Sequence, residues 1–217
     1  MDTLFLGLAL ATSLCLASIG PAAAMPELST GFLEPTAVLP PGADLPAPLT
    51  GLTIGSMHVR FGVTTLNEIQ DVMGDGAIVE QSRTGRHLLC YSIPTGNTWE
   101  RLWLISKDRS GGIDIDLRVS EIQAVQARTN ALSLDCPVPS ASYHPLHFDR
   151  GLWLGEPRQG LIELLGRPAQ ANGGEWSYVY DSPQSGRQGS HHVVSLVQAQ
   201  LDDGKVSAIV ASQIATY

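Results

Sequence analysis

The chain has 217 residues, 43% of them apolar, and carries 13 Lys+Arg against 21 Asp+Glu for a formal net charge of −8. That apolar share is enough to bury the core of one large or two small domains and excludes disorder throughout. The acidity leaves no basic footprint for nucleic acid or for an anionic membrane surface.

Residues 1–24 have the layout of a secretory signal. An apolar run from Leu4 to Ile19 is broken by Gly20-Pro21 and followed by Ala22, Ala23 and Ala24, which predicts cleavage after Ala24. The positive flank is missing, since Asp2 is the sole charged side chain ahead of the run. A membrane anchor would need about 20 apolar residues and a charged stop, whereas this run ends at Gly-Pro. Cys15 follows the bulky Leu14, which does not suit lipidation, and should leave with the peptide. The mature chain is therefore expected to be periplasmic or secreted, with no integral membrane span.

Residues 25–50 contain Pro26, Pro35, Pro40, Pro41, Pro46 and Pro48, which deny the backbone regular hydrogen bonding. They read as an extended, Pro-rich flexible arm. Its Phe32, Leu33, Val38 and Leu39 offer apolar contacts, either to a partner or back onto the chain's own domain.

Residues 51–125 read as the first of two repeats. "SMHVRF" alternates Met57, Val59 and Phe61 as a strand does. A helix follows, with Thr65 and Glu68 spaced as a capping box, Leu66, Ile69, Val72 and Met73 as its buried stripe, and Gly74 as its C-terminal cap. Then "HLLCYSI", "RLWLIS" and "IDIDLRV" predict three strands, the last with Ile113, Ile115, Leu117 and Val119 on one face and Asp114, Asp116 and Arg118 on the other.

Residues 126–150 form a linker that holds Cys136, and residues 151–217 read as the second repeat. "GLTIG" at 51–55 returns as "GLWLG" at 151–155, but the better register aligns Gly62 with Gly155, a spacing near 93 residues. "GEPRQGLIELLG" then faces "GVTTLNEIQDVMG", and Pro157 suits a first helical turn. "WSYVY", "VVSLVQAQL" and "VSAIVAS" follow as strands, with Asp203-Gly204 as a hairpin turn and "SPQSGRQGS" at 182–190 as a long hairpin loop. The expected class is α+β: two tandem repeats, each a short helix or helix pair packed on an antiparallel β-meander.

In an exported chain the two remaining cysteines, Cys90 and Cys136, are most simply read as one disulfide. A loop of that size is worth about 4 kcal/mol in the chain-entropy account. A Cys90 nucleophile served by His87 is the poorer reading, because residues three apart on a strand point to opposite faces.

The pattern Gly155…Pro157…Leu161…Leu165-Gly166-x-Pro168, then Trp176-x-Tyr178, then Leu201-Asp-Asp-Gly204-Lys205-Val206, resembles the BamE/SmpA outer-membrane lipoprotein family and its tandem relative, the β-lactamase inhibitor protein family. Pro157 stands where those families carry Thr, and the first copy has Asp75-Gly76 where x-Pro would follow. The resemblance implies the helix-on-meander fold and protein recognition in or outside the cell envelope, without catalysis or cofactor.

His144, His147, His191 and His192 form the alternative, a metal-dependent site, although "HPLH" and "HH" lack fixed ligand geometry. Asp114 and Asp116 share a strand face as a catalytic pair would, and as solvent-facing residues do. No nucleophile elbow, zinc-protease motif or phosphate loop is present.

The aromatic residues are more informative. "Arg101-Leu102-Trp103-Leu104-Ile105" is apolar on both strand faces although a helix covers one, so either Trp103 with Ile105 or Leu102 with Leu104 is left on an open side. "Val193-Val194-Ser195-Leu196-Val197" repeats this in the second copy. Arg101, Trp103, Ile105, Trp176 and Tyr178 are accordingly the candidate partner-binding residues. The expected function is a non-catalytic periplasmic protein-binding module: an enzyme or toxin inhibitor, or an envelope-assembly factor. A purely structural envelope protein is the remaining alternative.

Overall fold

The computed structural model describes residues 48–81, 84–107, 116–127, 136–140, 142–186 and 189–216. The predicted signal, most of the arm, Asp114 and much of the linker lie outside them. Among the described residues the chain is mostly β. Two short helices, α1 (Leu66–Met73) and α2 (Arg158–Leu165), accompany eleven strands.

β1 (Gly51–Ile54) sits between β2 (Met57–Arg60) and β7 (Leu146–Phe148) in a three-stranded antiparallel sheet. The Asp149 carboxylate ties its two distant parts together, accepting from the Thr50 amide at 2.5 Å and hydroxyl at 2.8 Å and from the Gly51 amide at 3.2 Å. The other eight strands are β3 (Val79–Gln81), β4 (Arg86–Thr95), β5 (Thr98–Lys107), β6 (Glu121–Ala127), β8 (Gln170–Asn172), β9 (Glu175–Gly186), β10 (Gly189–Asp202) and β11 (Lys205–Thr216). They form one antiparallel sheet in the order β3-β4-β5-β6-β11-β10-β9-β8.

That sheet corrects the expected fold class. The order helix-then-four-strands does occur twice along the chain, but the strands do not form two separate helix-on-meander repeats. β6 pairs directly with β11, from Val125 opposite Ala208 to Glu121 opposite Ser212. The physical reason lies in the facing residues: Ile122 and Ala124 meet Ala211 and Ile209, small or slim side chains that join one core. Closing this seam removes two long unpaired edges and leaves only three-residue edge strands, β3 and β8.

Both helices and the three-stranded sheet pack on the same side. Leu66, Ile69 and Met73 of α1, Leu161 and Leu165 of α2, and Leu52 of β1 bury themselves with Leu102, Tyr178 and Ile209 in a single core. The α1 cap forms as its sequence predicts: Thr65 Oγ1 accepts the Glu68 amide at 3.2 Å and the Glu68 carboxylate accepts the Thr65 amide at 2.7 Å. The Thr65 amide and the Thr65 hydroxyl, which donates at 3.0 Å, both reach the Glu68 carboxylate and hold it below its ordinary range.

Four local expectations change. Val72 is 46% exposed, because a step of about 100° from Met73 carries it off the buried stripe. "IDIDLRV" is not the third strand over its described part, where Arg118 makes only an isolated bridge to Thr65; β6 takes that place. β9 and β10 stay paired to Gly186 and Gly189, so "SPQSGRQGS" is mostly ladder rather than a long loop. The linker supplies β7 and thereby completes the smaller sheet.

Candidate functional site

The alternation of side chains along the strands gives the eight-stranded sheet two unlike faces. One is the core. Every described helix, and every described strand outside the large sheet with side chains in the core, packs there. We call the other the helix-free face.

On that face the first half of the sheet carries an apolar cluster of Cys90, Trp103, Ile105 and Cys136, flanked by Leu88 and Val125. Cys90 and Cys136 are joined in a disulfide with Cα atoms 4.7 Å apart. The incoming segment is held by the Ser92 amide, which donates to Pro137 O at 2.9 Å, and by Ser92 Oγ, which donates to Cys136 O at 2.7 Å. Trp103 is thereby reduced to 4% exposure and Ile105 to 0%. Leu102 and Leu104 take the core side. Both apolar faces of β5 are therefore covered, one by the core and one by the disulfide-tethered segment, so the expected uncovered side at this strand is not found. Arg101, on the same face, is half-buried.

Next to this cluster lies a buried charge. Glu121, 2% exposed, meets Arg86 Nη2 at 3.3 Å, Lys107 Nζ, and the Gln123 side-chain amide at 2.7 Å. Two cations and an amide donor satisfy a carboxylate whose burial alone would be costly. Further along the row, Val210, Gln198 and Ser177 continue across β11, β10 and β9.

Beyond them Val179, Val194 and Leu196 stay half-buried, with Leu196 opposite Val179. Beside these, His192 Nδ1 lies 2.9 Å from Asp181 Oδ1, both side chains more than half exposed. The reading "VVSLV" thus resolves by parity: Val193 and Val197 are buried on the core side, Val194 and Leu196 on the helix-free side.

The other candidates disperse. Trp176 and Tyr178 lie on the core side, 5% and 2% exposed, with Arg158 stacked 4.8 Å from the Trp176 ring centre. Burial raises the Tyr178 hydroxyl above its ordinary range, and pushes Tyr180, which donates to Leu165 O at 2.8 Å, up to about 12.

His147 Nδ1 sits 2.8 Å from Phe148 O, the His144 ring lies tilted against its neighbour Tyr143 with ring centres 4.7 Å apart, and the side chain of His191 lies outside the described residues. Among the described residues no group of three His, Cys, Asp or Glu side chains is placed to hold a metal. Asp116 pairs with Arg118 at the surface at 2.5 Å. Cys90 is in its disulfide and does not serve as a nucleophile for His87.

Two buried acids escape a sequence reading. Glu121 sits in "EIQAVQA", where its alternation with Ile122 suggests solvent. Glu100, 5% exposed, hides on the core side of β5. For Glu100 the available signal was its place beside the apolar run at 102–105 of β5; the alternating β6 offers none for Glu121.

Compared with protein-family models, curated proteins and solved structures, the chain matches none. The likeness to BamE/SmpA proteins therefore rests on its motif residues alone. Among the described residues no helix is long and apolar enough to cross a membrane.

Proposed function

We propose that the protein is a non-catalytic binding module of the periplasm or cell exterior that holds a protein partner on the β9–β10 half of its helix-free face. The observation that carries this reading is the asymmetry of the large sheet: described elements crowd one face, while the far half of the other keeps Val179, Val194 and Leu196 half-buried beside the exposed Asp181 and His192. A broad, rigid, mixed apolar and polar surface is what protein recognition uses, a few central side chains carrying most of the energy. The disulfide agrees with an oxidising compartment, as does the signal-like start of the sequence. Within this class, inhibition of an enzyme or toxin suits a clamped, preorganised surface.

The test uses the mature chain from Met25 as bait in an extract of exported proteins, in parallel with Leu196→Asp and with Trp103→Ala. One partner retained by Trp103→Ala and lost with Leu196→Asp supports the assignment. Retention by both variants, or no partner at all, refutes it.

A further inference from the structure

The two ends of the large sheet begin alike. β3 covers only residues 86–88 of β4, and β8 covers only residues 175–177 of β9. Just beyond, each long strand carries a tyrosine whose hydroxyl donates to a carbonyl at the end of the preceding helix, Tyr91 to Gly74 O at 3.0 Å and Tyr180 to Leu165 O at 2.8 Å. Counted from these landmarks, Cys90 and Ser92 of β4 correspond to Val179 and Asp181 of β9. Their cross-strand neighbours correspond too: Cys90 pairs with Trp103 and Val179 with Leu196, all on the helix-free face.

On β4 this position is closed. The Ser92 amide donates to Pro137 O at 2.9 Å and its hydroxyl to Cys136 O at 2.7 Å. Pro137 and Pro139 favour an extended backbone there, and the segment lays Cys136 against Cys90 and Trp103. Trp103 is 4% exposed under it, whereas Leu196, its counterpart, stays half-buried.

On β9 the corresponding backbone groups point outward. Successive residues of an antiparallel strand aim their N–H and C=O to alternate sides. Ser177 O, which accepts the Ala169 amide at 2.8 Å, faces away from β10, and so do the groups of Val179 and Asp181. Pro183, with no N–H to give to the β10 ladder, has the same parity. Among the described residues none bonds to this edge beyond Ser177. Unpaired backbone groups beside an apolar floor are a template for strand addition.

The filled position on β4 says what form the occupant takes, and one difference says what charge it brings. Ser92 donates from its side chain, but Asp181 in its place is an exposed carboxylate, 2.9 Å from His192 Nδ1, that can only accept. A net charge of −8 likewise favours a basic arrival over a second copy of the chain.

We infer that the outer edge of β9 at Val179 and Asp181 takes an extended, basic segment of the protein partner. A carbonyl of that segment accepts the Asp181 amide, a small apolar side chain covers Val179 and Leu196, and a Lys or Arg lies beside the Asp181 carboxylate. This rests on the binding role proposed above and adds where, and in what form, the partner joins the sheet.

The test follows backbone amides of the full mature chain by NMR, with a capped hexapeptide of alternating lysine and valine as the probe. In the free chain the Val179 and Asp181 amides should exchange with solvent at least about ten-fold faster than the bonded Ser92 amide. Peptide at millimolar concentration should shift the signals of Val179 and Asp181, slow their exchange and leave Ser92 unmoved. Asp181→Pro removes the outward N–H without touching the β10 ladder and should weaken peptide binding about ten-fold or more, whereas Asp181→Ala, which keeps that N–H, should weaken it about three-fold. Equal losses from the two variants, slow exchange in the free chain, or no shift at this edge overturn the inference. So do signals that move with protein concentration before peptide is added, which would seat a second copy there. A partner that is lost with Leu196→Asp but retained by Asp181→Pro leaves the proposed function standing and overturns the edge.

Discussion

The indole N–H of Trp153 donates to the buried carboxylate of Glu100 at 2.8 Å, joining the chain just ahead of α2 to the first part of β5. Burial raises the Glu100 carboxyl above its ordinary value of 4.5, opposed by the bonds from Trp153 and Thr95 and by the nearby charge of His144. Because the folded pKa is the higher one, the group's contribution to stability is fully present below the ordinary carboxylate pKa and is lost as pH rises through the folded value. Glu100→Gln keeps an acceptor for Trp153 and should raise the thermal midpoint at neutral pH, with the gain shrinking below about pH 4. Trp153→Phe should cost about 2 kcal/mol at neutral pH by leaving the carboxylate short of a donor. Thermal melts across pH read both, and a gain that persists unchanged at acid pH would sink the account.

The disulfide does more than close a loop of sequence separation 46. It presses Cys136 onto Trp103 and Ile105, so reduction should release the cover and wet the indole. Cys136→Ala is expected to cost about 3 kcal/mol in urea unfolding and to shift tryptophan emission to longer wavelength while the fold persists. If the emission stays where it was, the cover on Trp103 does not depend on the bond.

Glu121 is held by partners from β4, β5 and β6 at once. Glu121→Ala strips Arg86 and Lys107 of their shared counter-charge and should cost about 3 kcal/mol, whereas Glu121→Gln, which keeps shape and an acceptor, should cost about half as much. Urea midpoints measured at low and high salt check this. The loss should vary little with salt, since a buried pair is poorly screened.

What the sequence made legible was local. Thr65 with Glu68, Gly74 after α1, and Asp203-Gly204 in the β10–β11 turn each require only neighbouring atoms, and each is found where its chemistry places it. At Gly74, φ is +69° and a Cβ would fall 2.2 Å from Ser140 Oγ, so the position admits only glycine. The seam between β6 and β11 was not legible. It pairs residues more than eighty positions apart, and Ile122 or Ala211 looks the same in its strand whether its neighbour belongs to its own meander or to the other. The helix-free face misled for a related reason. Apolar residues on both sides of β5 were read as one covered and one open side, but Cys136 arrives from the linker to cover the second.

The seam makes its own prediction about cooperativity. Two independent helix-on-meander units would unfold separately, each with its own midpoint. Here Ile122 and Ala124 of β6 and Ile209 and Ala211 of β11 belong to one core, which also takes in both helices. Unfolding either half exposes the other's seam strand along its whole edge and strips that core of half its lining. The two halves should therefore melt as one. Trp99 and Trp103 report on β5, while Trp176 reports on β9; Trp153, bonded to Glu100, reports on the junction. A variant that keeps Trp99 and Trp103 and one that keeps Trp176, the other tryptophans changed to Phe, should give urea transitions that coincide once each variant's own stability loss is allowed for. Ile122→Ala, which cuts a fully buried side chain at the seam, should lower both midpoints together by about 3 kcal/mol. If it moves the first-half probe and leaves the second where it was, the sheet is continuous in geometry but divided in energy, and the single-core account fails.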